Sequence, residues 1–198
     1  FACNTSPEYD SMAISGDGSR MVITSGIGNS NYLWLFSDSS SSPLVWKYNP
    51  ATYIRSVDIS IDGKSIVSAG YDDGSSAKCG YVYYHSATSS TPIWSHYDST
   101  TKGNSHGMKA RISDDGQYII ASCAYNAKMK FFGVSSSTPL WTSNTNYGSS
   151  VRISIDGQNS LGICANYGGT KRDSYWNLTS EGDDDYFWKT TGIFDCHA

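Results

Sequence analysis

Short stretches in which apolar residues alternate with others recur along the chain, and four of them end in Ile-Ser-x-Asp-Gly. The copies read Met12-Ala-Ile-Ser-Gly-Asp-Gly18, Val57-Asp-Ile-Ser-Ile-Asp-Gly63, Ala110-Arg-Ile-Ser-Asp-Asp-Gly116 and Val151-Arg-Ile-Ser-Ile-Asp-Gly157. Alternation with a period of two predicts a strand with one apolar face. Asp-Gly predicts a tight hairpin after it, because glycine accepts the positive φ that such turns require. A second strand follows each turn, at Met21-Val-Ile-Thr-Ser25, Ile66-Val-Ser-Ala-Gly70, Ile119-Ile-Ala-Ser-Cys123 and Ser160-Leu-Gly-Ile-Cys164.

A loop rich in Gly, Asn and Asp leads to a third, aromatic strand: Tyr32-Leu-Trp-Leu-Phe36, Tyr81-Val-Tyr-Tyr84, Met129-Lys-Phe-Phe132 and, more weakly, Ser174-Tyr-Trp-Asn-Leu178. A serine-rich turn and a fourth strand close each unit, ending at Trp46, Trp94, Trp141 and Trp188. Pro43, Pro92 and Pro139 precede the first three of these tryptophans, which suits an outer edge strand where a missing amide hydrogen costs nothing. The aspartates of the four turns, Asp17, Asp62, Asp115 and Asp156, stand 45, 53 and 41 residues apart. Four antiparallel strands repeated at that spacing predict the blades of an all-β propeller. No helical periodicity of useful length is present.

The order of strand, Asp-Gly turn, strand, aromatic strand and Ser135-Ser-Ser-Thr-Pro-Leu-Trp141 resembles the WD40-like and quinoprotein-like β-propeller repeats of surface and secreted proteins. The resemblance covers about residues 8–190, with the fourth unit the most divergent; the Gly-His and Trp-Asp pairs of standard WD40 repeats are absent. The expected architecture is a single domain over 1–198, a four-bladed β-propeller of four-stranded antiparallel blades at about 8–54, 55–106, 107–150 and 151–198. The blades read as self-contained, with no strand exchanged between the chain ends.

Composition narrows the partners. Lys and Arg total 14 against 18 Asp and Glu, with no basic stripe, so a nucleic-acid partner is not expected. No apolar run approaches the roughly 20 residues of a membrane-spanning helix, and no signal peptide is read. The five cysteines are Cys3, Cys79, Cys123, Cys164 and Cys196; an odd number leaves one free or paired between chains. Cys123 and Cys164 share a strand position with Ser25 and Gly70, which suits small core residues. In a ring the chain ends meet, so Cys3 and Cys196 are a candidate disulfide clamp; the alternative is two unrelated terminal thiols. Asn4 and Asn177 head sequons and are the glycosylation candidates.

Candidate chemistry is sparse. The four turn aspartates are explained by hairpin geometry. Asp72-Asp73 and Asp183-Asp184-Asp185 lack the spacing of a dedicated calcium loop, and His85, His96, His106 and His197 lack metal-ligand spacing. No phosphate loop and no Ser-His-Asp signature appears, so no catalytic, cofactor or metal residue is assigned. The recurrent tryptophans read as blade-to-blade packing, with an exposed row binding sugar as the alternative. Five residues before each repeat glycine stand Ala13, Asp58, Arg111 and Arg152, on the innermost strand. Asp58 is expected to pair with Arg111 or Arg152; the alternative makes Asp58, Arg111 and Arg152 a ligand site at the channel mouth. The reading favoured by these features is a non-enzymatic extracellular or cell-surface module that is structural, adhesive or self-assembling, with itself, another protein or a glycan as partner. A small-ligand-binding, hydrolytic or redox propeller is the alternative.

Overall fold

The computed structural model describes residues 11–27, 30–50, 52–71, 80–98, 109–122, 129–142, 150–155, 159–165, 171–177 and 186–190. Cys3, Cys196, Asn4, Asp156, both acidic runs, His106 and His197 lie outside them. Among the described residues there is no helix, and sixteen strands form four antiparallel four-stranded sheets. The first sheet holds β1 (Ser11–Ile14), β2 (Arg20–Ile27), β3 (Ser30–Ser37) and β4 (Leu44–Tyr48) in chain order. The second holds β5 (Tyr53–Ile59), β6 (Ser65–Tyr71), β7 (Gly80–Ser86) and β8 (Trp94–Asp98). The third holds β9 (Lys109–Ile112), β10 (Tyr118–Ser122), β11 (Lys130–Gly133) and β12 (Trp141–Thr142). The fourth holds β13 (Ser150–Ile153), β14 (Asn159–Ala165), β15 (Lys171–Asn177) and β16 (Tyr186–Thr190).

The Ser-x-Asp-Gly turn is built by its own side chains. Ser15 donates its hydroxyl to Asp17 Oδ1 at 2.7 Å and accepts the Arg20 N–H at 3.0 Å, while the Ser19 N–H donates to the same carboxylate oxygen at 2.9 Å. Ser60 and Asp62 repeat the pattern at 2.7 Å, with the Ser65 and Lys64 N–H groups as donors. Ser113 and Asp115 repeat it again at 2.5 Å, with Tyr118 and Gln117. Gly18, Gly63 and Gly116 carry φ of 72°, 69° and 71°, the left-handed conformation that closes each turn. The serine hydroxyls sit beneath the turns, where Ser15, Ser60 and Ser113 are 0–3% exposed and every donor and acceptor is met. The sequence expectation of a two-residue Asp-Gly hairpin is thus enlarged: the serine two positions earlier belongs to the turn.

Sheets stack face to face in chain order. Val57 and Ile59 of β5 pack on Val22, Leu33, Leu35 and Trp46 of the first sheet. Ala110 and Ile112 of β9 pack on Val67, Ala69, Val82 and Tyr84 of the second. Val151 of β13 packs on Ile120, Met129 and Phe131 of the third, with Ile153 beside it. Each of the three later Ile-Ser strands therefore offers its apolar side to the preceding sheet. Backbone bonds between turns fix the stagger: Gly16 N–H to Ile61 O at 2.8 Å, Ile61 N–H to Asp114 O at 3.0 Å and Asp115 N–H to Ile155 O at 3.2 Å. At the outer rim, Trp46 Nε1 donates to Ala87 O at 3.0 Å and Trp94 Nε1 to Val134 O at 2.8 Å. These two tryptophans seal sheet against sheet, as the packing reading required.

Ser60→Ala removes the acceptor for Ser65 N–H and one donor to Asp62, and is expected to cost about 1–3 kcal/mol. Ser41→Ala, on an exposed turn, should stay within about 0.5 kcal/mol. Ile112→Ala, which opens a cavity between the second and third sheets, should cost about 2–5 kcal/mol. Equilibrium urea denaturation of the three variants beside the parent chain measures all of these.

Candidate functional site

The inner strands β1, β5, β9 and β13 carry the charged positions singled out from the sequence. Residues that face away from the preceding sheet point towards the next one or the inner rim: Ser11 and Ala13, Ser56 and Asp58, Lys109 and Arg111, then Arg152. Two serines stitch neighbouring inner strands. Ser11 Oγ accepts the Val57 N–H and Ser56 Oγ accepts the Ala110 N–H, both at 3.2 Å.

Asp58, Arg111 and Arg152 are brought together, but without the expected ion pair among the described residues. Asp58 Oδ2 accepts the Ile112 N–H and Oδ1 accepts its neighbour Ile59 N–H, each at 3.1 Å. The carboxylate thus bridges backbone, not guanidinium. Burial pushes its pKa up, opposed by the field of Arg111 and by these two backbone bonds. Arg111 Nη1 lies along the rim, donating to Ala110 O at 2.9 Å and Ser56 Oγ at 3.2 Å. Arg152 Nη1 makes the matching bond to Val151 O at 3.0 Å.

The sequence reading missed Lys109 and Arg55, whose side chains join this group. Burial lowers the Lys109 pKa, and Arg111, Arg152 and Arg55 lower it further by repulsion. Arg111 is lowered by burial and by Arg152, with Asp58 opposing. Arg55 donates to the Tyr71 hydroxyl and lies over its ring, 5.0 Å from the centroid. Lys109 could have been found by comparing the repeats, since it replaces the bridging serine of the first two units.

His85 and His96 lie on strands, each in a defined environment. His85 on β7 is fully buried, its ring 5.5 Å from Trp46 and 4.9 Å from Tyr48. Burial depresses its pKa to about 4 from an ordinary 6.5, so it is neutral in the folded chain. His96 on β8 joins an inter-sheet chain: Nδ1 lies 2.9 Å from Ser137 O, and Nε2 lies 3.2 Å from Lys130 Nζ. Lys130 in turn is 2.7 Å from Asp98. An ammonium only donates, so Nε2 accepts and the ring proton sits on Nδ1. This polar strut between the second and third sheets was invisible in the sequence, because its members are 34 residues apart.

No family model matches the chain, and no curated protein matches it. Similarity to solved structures is clear at the level of fold. Hydrazine synthase of Kuenenia stuttgartiensis matches with 16% identity and a TM-score of 0.63, over 89% of this chain and 48% of that one. The Dos1 propeller matches with 16% identity and a TM-score of 0.62, over 87% and 43%. TolB of Acinetobacter baumannii matches with 15% identity and a TM-score of 0.53, over 85% and 40%. The chain spans less than half the length of each of these structures.

His85 links stability to pH. Its folded pKa lies below the unfolded one, so its contribution is complete above about pH 6.5 and is lost as the pH falls from there towards 4. Between pH 7 and 4.5 the parent chain is expected to lose about 2–3 kcal/mol through this residue. His85→Phe should flatten that part of the profile. Urea titrations of both chains at the two pH values give the difference. With all of this in place, the chain has a β-propeller fold.

Proposed function

We propose that this chain is a non-enzymatic structural and assembly module of the extracellular space or cell surface, and that it associates with a second copy of itself through its blade faces. One observation carries the reading. Met12 and Ile14 of β1 are 72% and 61% exposed. Their repeat equivalents Val57, Ile59, Ala110, Ile112 and Val151 are buried at 0–7%, each against the sheet before it. The first sheet thus presents the apolar side that every later sheet uses for docking.

Sheet packing runs from first to second, second to third and third to fourth, with no comparable interface between the first and fourth among the described residues. A closed four-bladed ring would cover Met12 and Ile14 with the chain's own fourth sheet; their exposure favours a sheet from another copy. Head-to-tail pairing reuses the interface already made three times within the chain. The propellers it resembles are about twice as long, so two copies supply a ring of comparable size. On this reading the Cys3–Cys196 clamp joins two copies, which an oxidising compartment permits. Asn4 and Asn177 are the glycan sites that such a compartment would use. Association through Tyr, Ser and Thr surfaces suits an adhesive or structural role better than turnover.

Light scattering on the purified chain should show concentration-dependent doubling of mass. Met12→Lys combined with Ile14→Lys places charge on the docking face and should weaken association at least ~100-fold, about 2.7 kcal/mol. Ile93→Lys, on an exposed outer position, should not. A parent chain that stays monomeric at high micromolar concentration, or a double variant that associates like the parent, overturns the proposal.

A further inference from the structure

The inner rim departs from its own repeat in one arc. Seven residues before the repeat glycine the units carry Ser11, Ser56, Lys109 and Ser150; five before it they carry Ala13, Asp58, Arg111 and Arg152. In the first two units the earlier position is an acceptor that takes the next strand's N–H. In the third it becomes an ammonium, which has no proton acceptor within bonding distance among the described residues. Arg111 and Arg152 follow on the same rim, each bonded through Nη1 to the carbonyl of the residue before it, which leaves further N–H groups of each guanidinium undirected.

Lys109, Arg111 and Arg152 therefore lie close enough on the inner rim to repel one another, with Asp58 the carboxylate nearest Arg111 among the described residues. Asp58 offsets part of this charge through its field on Arg111, while both of its oxygens are engaged by backbone N–H groups and not by a guanidinium. Asp114 adds a second negative field beside Asp58. Arg55 adds positive field while its own guanidinium is held on Tyr71. Half-buried charge of one sign, as at Lys109 and Arg111, is costly unless a counter-charge is supplied. Nothing in the protein among the described residues balances it fully.

We propose that Lys109, Arg111 and Arg152 form a binding site for a doubly charged oxyanion, a phosphate or sulfate group seated on the inner rim. Guanidinium forks suit the paired oxygens of such groups, and a lysine adds a mobile donor. Lys109, Arg111, Arg152 and Arg55 less Asp58 and Asp114 leave an excess of two positive charges among the described residues, which a dianion matches and chloride does not. The group is either a free ion or an ester carried by a larger molecule; the same donors recognise both.

The test is thermal unfolding and isothermal titration of the full chain with sodium phosphate, sodium sulfate, glycerol phosphate and sodium chloride at matched ionic strength. Phosphate or sulfate should raise the melting temperature above the chloride reference and titrate to one site per chain. Lys109→Gln should weaken that binding at least about tenfold, while Lys64→Gln, on an exposed turn pair, should leave it unchanged. Tighter binding of glycerol phosphate than of the free ion identifies an ester as the source, and the reverse identifies the free ion. Stabilisation equal to that by chloride, or binding that Lys109→Gln leaves untouched, overturns the site. The self-association readout is separate, so a failure here does not touch the docking face.

Discussion

A four-stranded sheet with apolar residues on both faces cannot stand alone in water, and the whole architecture answers that constraint. The second and third sheets meet it by lying between neighbours, so their inner strands bury Val57, Ile59, Ala110 and Ile112 almost completely. The first sheet meets it on one side only. Its other side keeps Met12 and Ile14 in contact with water, at a cost of about 25 cal/mol for each Å² of apolar area left uncovered. The stacking that builds the molecule thus also leaves a face with the shape and chemistry of an internal interface.

Directional bonds give this stacking its register. Apolar faces slide, whereas a buried N–H or C=O must be matched. The turn-to-turn bonds from Gly16 to Ile61 and from Ile61 to Asp114 hold one end of each sheet pair. The indole bonds of Trp46 and Trp94 hold the outer rim, and Ser11 and Ser56 hold the inner strands. Gly16 shows how close the turns come: a Cβ there would lie 2.2 Å from Ile61 Cγ1. Packing supplies the attraction, and polar bonds at three radii decide where it stops.

The inner rim obeys a different balance. Where serines line it, donors and acceptors cancel between adjacent strands. Where Lys109, Arg111 and Arg152 line it, donors exceed acceptors and the surroundings are partly dry, so the pKa values of Lys109 and Arg111 fall. The contrast with the His96–Lys130–Asp98 strut is instructive. There a half-buried cation has a carboxylate at 2.7 Å and a ring nitrogen at 3.2 Å, and its charge is consumed within the protein. Charge that is consumed locally is structural; charge left over on the inner rim is what the proposed anion site rests on.

Local chemistry made much of this legible from the sequence. The Ser-x-Asp-Gly turn closes on itself within six residues, so its serine, aspartate and glycine are enough to specify it. Period-two alternation told which residues share a face, and the recurrent tryptophan foretold the sheet-to-sheet role seen at Trp46 and Trp94. What the sequence could not decide was pairing across sheets. Asp58 meets the Ile112 N–H across 54 residues and not an arginine, Lys109 joins its group because three inner strands converge, and Lys130 reaches both His96 and Asp98 only because β8 lies against β11. The exposure of Met12 and Ile14 is of the same kind: four near-identical strands read alike in sequence, and only their order in the stack leaves the first without a sheet against it among the described residues. Turns and faces are set by contacts a few residues apart, which the chain spells out; partners are set by the distance between whole sheets, which it does not.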